Sequence, residues 1–310
     1  MMLGQIRCGE TKREGTEAMT TTMPPNTALT VRLRDGRTLG YAEYGDPAGK
    51  PVFFFHGFPG SRLEAAMGHD AAVKHGGRLI SIDRPGYGLS DFKPGRTLLD
   101  WPEDVTELAA ALGIDRFGVA GVSGGGPYVA VCAYAIPQRL TGAYIISGAG
   151  PFDAPGATDG VSRQNRILFW LGRHAPWLGG LVIRGEARAA QKGKLIDQMA
   201  KSMPEPDRAI LRQPEIRAIF LADAREAFRQ GARGGIHELR VLHSRPWGFR
   251  LEDITMPVHL WQGTADKNVP LSMGHYQASA IPNCKATFYE GEGHLLIVTH
   301  IDEIAAIMAG

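Results

Sequence analysis

The chain has 310 residues, of which 44% are hydrophobic, and a formal net charge of +2. A chain of this length can bury a substantial core, either as one large domain with an insertion or as two domains. The small net charge gives no reason to expect a nucleic-acid partner. No apolar run approaches the ~20 residues that a membrane-spanning helix requires, so no membrane span is predicted.

The N-terminal residues contain scattered charges and lack the apolar stretch of a signal peptide. We therefore predict a disordered tail over residues 1–26, and Met19 or Met23 is an alternative start. The three cysteines, Cys8, Cys132 and Cys284, are odd in number and show no C-x-x-C spacing. This usage predicts a reducing, cytoplasmic location.

The first half of the chain alternates short apolar runs with helix-compatible stretches. A hairpin around Asp35-Gly36 begins it, and the apolar run Pro51–Phe55 has the look of a buried parallel strand. Further strands are predicted at 78–83, 117–122 and 142–147, with helices at 62–75, 100–112 and 128–135. This alternation predicts an α/β fold with a mostly parallel sheet between helices.

Ser123 lies on a tight turn between the predicted strand 117–122 and the following helix. The local sequence Gly121-Val122-Ser123-Gly124-Gly125 has the form G-x-S-x-G. Glycines let the backbone bend sharply around a serine and let the strand and the helix pack closely. The pattern with its flanking elements predicts an exposed nucleophilic hydroxyl at the end of a strand.

Residues 151–250 contain no strand-like run and are rich in arginine and tryptophan. Helices are predicted at 164–172, 195–203, 207–211 and 215–230. We predict that this segment is a helical cap inserted into a core formed by residues 27–150 and 251–310. Its excess of positive charge either attracts anionic substrates or an acidic partner, or it lies on solvated helix faces. The aromatic candidates for a pocket beneath it, or for its own core, are Trp170, Trp177, Phe220, Phe228, Trp247 and Phe249.

Strands resume at 257–262 and 286–289, with helices at 271–280 and 295–309. Asp266 and His294 each occupy a loop that directly follows one of these strands. In a parallel sheet such loops share one edge with the loop that carries Ser123. The three side chains are therefore expected to converge although they are far apart in sequence.

Together these motifs resemble the α/β-hydrolase fold superfamily. The resemblance rests on the G-V-S-G-G turn, the order Ser123, Asp266, His294, the H-G-F-P-G segment from His56, and the D-R-P-G-Y-G-L-S loop from Asp83. It covers roughly residues 27 to 310, and the cap segment is its least diagnostic part. The motifs specify the fold much better than they specify a substrate.

The resemblance implies a catalytic triad in which Ser123 is the nucleophile, His294 the base and Asp266 the acid that orients the imidazole. Backbone N–H groups of Gly124 and Phe58 would form the oxyanion hole. No metal and no organic cofactor are expected.

Other residues compete for some of these roles. Asp153 follows the strand that ends near Ser147, a position that some relatives use for the acid. His56 lies in the oxyanion loop, where it is expected to shape the loop rather than act as the base. Asp83 is expected to anchor the following loop through hydrogen bonds.

The predicted activity is hydrolysis of a small or medium, uncharged carboxylic ester, with carboxylesterase as the leading label. Ser123 argues against relatives that open epoxides or cleave carbon–halogen bonds, which place an aspartate there. Gly124 departs from the tryptophan usual in proline iminopeptidase-like members and from the methionine of haloperoxidase-like members and many carbon–carbon-bond hydrolases. The alternatives are a carbon–carbon-bond hydrolase or lyase with the same triad, and a ligand-binding receptor on the same fold.

Overall fold

A single eight-stranded sheet organises the computed structural model, which describes residues 26–243 and 246–310. The predicted tail therefore lies outside the described residues except for Asn26. The spatial order of the strands is β1-β2-β4-β3-β5-β6-β7-β8. Their bounds are β1 Leu29–Arg32, β2 Thr38–Gly45, β3 Lys50–Phe55, β4 Gly77–Ile82, β5 Phe117–Val122, β6 Leu140–Ile146, β7 Val258–Gly263 and β8 Cys284–Tyr289.

Six of these strands, β3 to β8, pair in parallel, whereas β1 and β2 form an antiparallel hairpin that joins the sheet through β4. All six residues of β5 are buried. A strand covered on both faces must be apolar throughout, which is the pattern its sequence shows. The predicted α/β class and mostly parallel sheet are confirmed.

Helices cover both faces of the sheet and fill the long connection between β6 and β7. Their bounds are α1 His69–His75, α2 Trp101–Ala111, α3 Gly126–Ala135, α4 Arg163–His174, α5 Pro176–Gln191, α6 Leu195–Ala200, α7 Glu205–Leu211, α8 Pro214–Ala227, α9 Arg233–His243, α10 Leu271–Ala280, α11 Leu296–Thr299 and α12 Ile301–Ala309. Within the described residues, none of these helices is both long and apolar enough to cross a membrane.

The connection between β6 and β7 holds helices α4 to α9 and, in its described part, no strand. Two of its helices, α5 and α9, escaped the sequence analysis because both contain glycines, which ordinarily weaken a helix. In α5, one of these glycines allows close helix packing. A Cβ on Gly179 of α5 would lie 2.7 Å from Cδ2 of Leu239 in α9, so the absence of a side chain lets these helices approach closely.

Two predicted helices are divided in the structure. The first begins as a 3₁₀ turn over Glu64–Gly68 and continues as α1, and the last is broken at His300 into α11 and α12. His300 has φ −108° and ψ 18°, outside the helical region, which ends one helix and begins the next.

Candidate active site

The carboxyl ends of four parallel strands bring the predicted site residues to one edge of the sheet. Ser123 directly follows β5, and Asp266 and His294 follow β7 and β8. The loop after β3 contributes Phe58 to the same edge. Because parallel strands all end on the same side, residues separated by more than a hundred positions meet there.

Ser123 has the backbone conformation that the G-x-S-x-G turn predicts. Its φ is 52°, in the left-handed region that side-chain-bearing residues rarely occupy. Two glycines make the turn possible. A Cβ on Gly121 would lie 2.7 Å from the carbonyl oxygen of Gly125, and one on Gly125 would collide with the carbonyl oxygen of Phe55. The strain is held by close packing on both sides of the serine.

His294 and Asp266 are joined by a hydrogen bond between the imidazole Nδ1 and the carboxylate Oδ2, at 2.7 Å. The Asp266 side chain is fully buried and is fixed by further bonds from the amides of Asn268 and Val269 and from Gln262 Nε2. Such a carboxylate cannot turn away from the ring. The bond to Nδ1 leaves Nε2 as the ring nitrogen available for proton transfer.

Burial by itself would lower the pKa of His294, yet the pKa is raised above its ordinary value. The Asp266 carboxylate, through its charge and its hydrogen bond, is the main opposing cause, and the charges of Asp207 and Glu64 add to it. The site thus stabilises the imidazolium, which is the form that a general base reaches after accepting a proton.

Of the acids considered, the His294 ring is hydrogen-bonded to Asp266 and not to the competing Asp153. Asp153 is exposed, whereas Asp266 is buried against the imidazole. His56 is completely buried, and its Nε2 accepts a hydrogen bond from the Arg84 amide. Asp83 is also buried and accepts bonds from the amides of Arg62 and Leu89. The structure therefore gives His56 and Asp83 the loop-anchoring contacts that were predicted for them.

Asp207 of α7 is a contributor that the sequence analysis missed as a site residue. Its carboxylate accepts hydrogen bonds from the amides of His294 (3.0 Å) and Leu295 (2.8 Å), and the residue is fully buried. A Cβ on Gly293 would collide with this carboxylate. The glycine before the histidine was visible in the sequence, but Asp207, which lies 87 positions before His294, could not be linked to it.

Gly124 and Phe58 face each other across the site. A Cβ on Gly124 would lie 2.7 Å from the Phe58 Cβ and 3.2 Å from the Phe58 main-chain nitrogen. Both residues line the same cavity as Ser123. The two residues predicted for the oxyanion hole therefore lie next to each other on the wall of this cavity.

A cavity of about 160 Å³ opens onto Ser123 and His294. Among the described residues, no hydrogen bond joins these two side chains. Catalytic hydrogen bonds are often loose in an unliganded site and tighten when substrate binds. Most of the cavity wall is apolar, and its aromatic side chains are Phe58, Phe152, Phe169 and Phe220.

Of the six aromatic candidates from the sequence, only Phe220 lines this cavity. Trp170 and Trp177 are exposed, while Phe228 and Trp247 are buried in hydrophobic clusters. Phe249 packs against the main core. Periodicity distinguishes a buried face from an exposed one but does not show which buried residues border a cavity.

Three carboxylic acids line the cavity: Glu64, Asp223 and Glu186. Burial is the largest cause of a raised pKa in all three, and it brings the pKa of Glu64 and of Glu186 to about 7. No lysine or arginine belongs to the described lining. One of the alternatives for the positive charge of residues 151–250, the attraction of anionic substrates, therefore has no counterpart in this wall. In the described ranges, no cluster of three or more His, Cys, Asp or Glu side chains forms a metal site.

The family model described as the alpha/beta hydrolase fold matches residues 50–301. The chain therefore belongs to the alpha/beta hydrolase fold family and is a hydrolase of that family. This agrees with the sheet and with the residues gathered at its edge.

The individual proteins that the chain resembles share only a modest part of its sequence. The chain is 32% identical to a non-heme chloroperoxidase of Streptomyces lividans over 124 residues, which is 39% of this chain and 45% of the relative. It is 24% identical to the uncharacterized hydrolase YcgS of Bacillus subtilis (strain 168) over 270 residues, 84% of this chain and 90% of that protein. A solved thermophilic esterase from Thermogutta terrifontis matches with a TM-score of 0.64 and 20% identity, covering 91% of this chain and 96% of the esterase. That likeness shows the fold.

Proposed function

We propose that the protein is a serine esterase that cleaves a small or medium carboxylic ester through an acyl-enzyme. Ser123 would be the nucleophile, His294 the general base and Asp266 the orienting acid. The observation that carries this proposal is the 2.7 Å bond from His294 to the buried carboxylate of Asp266, with His294 and Ser123 on one cavity. We further propose that helices α4 to α9 form a cap over the core.

In the first half of the reaction, the Ser123 hydroxyl attacks the ester carbonyl while His294 Nε2 accepts its proton. The carbonyl oxygen becomes an oxyanion that accepts hydrogen bonds from the amides of Gly124 and Phe58. The imidazolium then gives its proton to the departing alkoxide. The products of this half are a free alcohol and the acylated serine.

In the second half, a water molecule gives a proton to His294 as it attacks the acyl carbon. The tetrahedral intermediate collapses, the serine recovers its proton, and the carboxylic acid leaves. Asp266 holds the ring with Nε2 toward the reaction in both halves. Bond making and proton transfer balance with no reagent other than the ester and water.

An esterase is supported by the chemistry of the residues, and the structural neighbour from Thermogutta terrifontis is itself an esterase. A carbon–carbon-bond hydrolase or lyase would use the same three side chains, and a receptor would keep them without turnover. We place the activity in the cytoplasm because of the cysteine usage; both described cysteines, Cys132 and Cys284, are free thiols.

The test combines active-site labelling with turnover. An activated p-nitrophenyl phosphonate should add one covalent group to the chain, and peptide mass analysis should locate it on Ser123. Ser123→Ala should abolish both the label and the hydrolysis of a panel of p-nitrophenyl esters.

Two other results would redirect the proposal. Turnover of a vinylogous diketone without ester hydrolysis would indicate carbon–carbon cleavage. Binding of ligands with neither turnover nor labelling would indicate a receptor.

A further inference from the structure

One carboxyl group on the cavity wall has no hydrogen-bond partner for a buried oxygen among the described residues. Glu186 of α5 lines the cavity, and its Oε2 is buried without a hydrogen bond from any described residue. The residue keeps part of its accessible surface. A buried carboxyl oxygen without a donor is costly, and native structures ordinarily satisfy such atoms.

The other two cavity acids differ in this respect. Glu64 accepts a hydrogen bond from the amide of Gly57 at 2.6 Å. Asp223 accepts bonds from the amide and the hydroxyl of Ser61, at 2.8 and 2.6 Å. These two carboxyls hold the loop after β3 through these hydrogen bonds, whereas Oε2 of Glu186 receives no hydrogen bond from a described residue.

No described residue compensates the Glu186 carboxyl for its loss of water. Burial raises the pKa of Glu186, and no charge or donor among the described residues opposes this loss of water. The same cavity wall includes Leu195, Ile196 and Met199 of α6 and has no lysine or arginine in its described part. A ligand that brings its own positive charge and N–H donors would supply what the protein does not.

We infer that Glu186 is a substrate-recognition residue that pairs with a protonated amine on the acyl or alcohol part of the ester. The inference rests on the proposed function, which places the ester carbonyl at Ser123, and it replaces the expected uncharged ester with an ammonium-bearing one. The apolar wall would contact the alkyl chain between the two polar ends.

The first arm of the test compares matched esters. The first pair is the p-nitrophenyl esters of ω-aminohexanoic acid and heptanoic acid, which vary the acyl part. The second pair is ω-aminohexyl hexanoate and heptyl hexanoate, which vary the alcohol part. The members of each pair are nearly isosteric and differ in charge. We expect kcat/KM to favour the ammonium member of at least one pair by about tenfold or more, which corresponds to about 1.4 kcal/mol.

The second arm repeats the comparison in Glu186→Gln. This variant keeps the shape of the side chain and removes the charge. We expect the ratio of kcat/KM between the ammonium ester and its neutral partner, measured within this variant, to fall to about one, which removes the ~1.4 kcal/mol preference. Glu215→Gln, an exposed acid in α8, is the charge-matched control and should keep the preference.

Equal turnover of both members of each pair by the unaltered protein would overturn the inference, whatever the variants do. A preference that survives in Glu186→Gln would overturn it as well. The first of these results does not depend on the variant folding.

A binding measurement separates this inference from the esterase proposal. Calorimetric titration of Ser123→Ala with hexylammonium and with hexanol requires no turnover. Glu186-dependent binding of hexylammonium alone would support the inference even if no ester were hydrolysed. Ester hydrolysis without any preference for the ammonium ester would leave the esterase proposal intact and contradict the proposed role of Glu186.

Discussion

The Oδ2 atom of Asp207 lies 3.0 Å from the main-chain nitrogen of His294. A buried carboxylate from α7 therefore holds the backbone of the imidazole-bearing loop. Its second oxygen accepts a bond from the next amide, that of Leu295. The helical segment between β6 and β7 is thus attached to the candidate base itself.

We expect Asp207→Asn to lower kcat by roughly tenfold, about 1.4 kcal/mol of transition-state stabilisation. The asparagine amide group can accept at only one of the two positions, so the histidine loop would shift. Loss of the charge would also lower the pKa of His294 and move the acid limb of the pH–rate profile to lower pH. Asp197→Asn, an exposed acid of α6, is the control. An unchanged profile in Asp207→Asn would refute this positioning role.

Replacing the acid should distinguish Asp266 from Asp153. Asp266→Asn is expected to lower kcat by a factor on the order of 10⁴, because the amide favours the wrong imidazole tautomer. Asp153→Asn should leave kcat unchanged since Asp153 is exposed. Steady-state kinetics of the two variants with one ester distinguish the two candidates for the acid. A larger effect at Asp153 would reassign the acid.

Gly124→Ala should damage turnover without unfolding the protein. The new Cβ would lie 2.7 Å from the Cβ of Phe58 and push the two proposed oxyanion donors apart. A misplacement of that kind costs on the order of a hundredfold in rate. Gly185→Ala is the matched control because a Cβ there meets nothing within 4 Å. If both variants keep full activity, these amides are not the oxyanion hole.

The pH dependence of kcat/KM should show an acid limb whose midpoint lies above the ordinary histidine value of about 6.5. The pKa of His294 is raised, and a protonated imidazole cannot accept the serine proton, so activity should fall as the pH drops through that pKa. The acids that act on His294 are Asp266, Asp207 and Glu64. Glu64 itself has a pKa of about 7, so a profile of Glu64→Gln is needed to separate the two titrations. A midpoint below 6 in both proteins would contradict the prediction.

Glu186→Gln should stabilise the protein above neutral pH. The folded-state pKa of about 7 is higher than the unfolded value, so the charged form is disfavoured by folding. Stability is therefore lost as the pH rises from about 4.3 through 7. We expect urea unfolding to show a gain of roughly 1–3 kcal/mol at pH 8 for the variant, shrinking toward zero at pH 4. A gain that is the same at both pH values would mean that the charge is not its cause.

The sequence by itself determined the fold class and the three residues proposed as the triad, because each of those signals is local. A glycine-flanked serine between a strand and a helix, and an aspartate and a histidine directly after strands, are legible over a few residues. The parallel topology then brings them to one edge.

Only the tertiary structure decided which distant groups complete the site. The bonds between Asp207 and the histidine loop join segments far apart in the sequence, which leave no periodic trace. The lack of a described hydrogen-bond partner for Glu186 Oε2 is likewise visible only in the folded chain. A sequence pattern records that a side chain is buried, whereas its partner is set by how the layers pack.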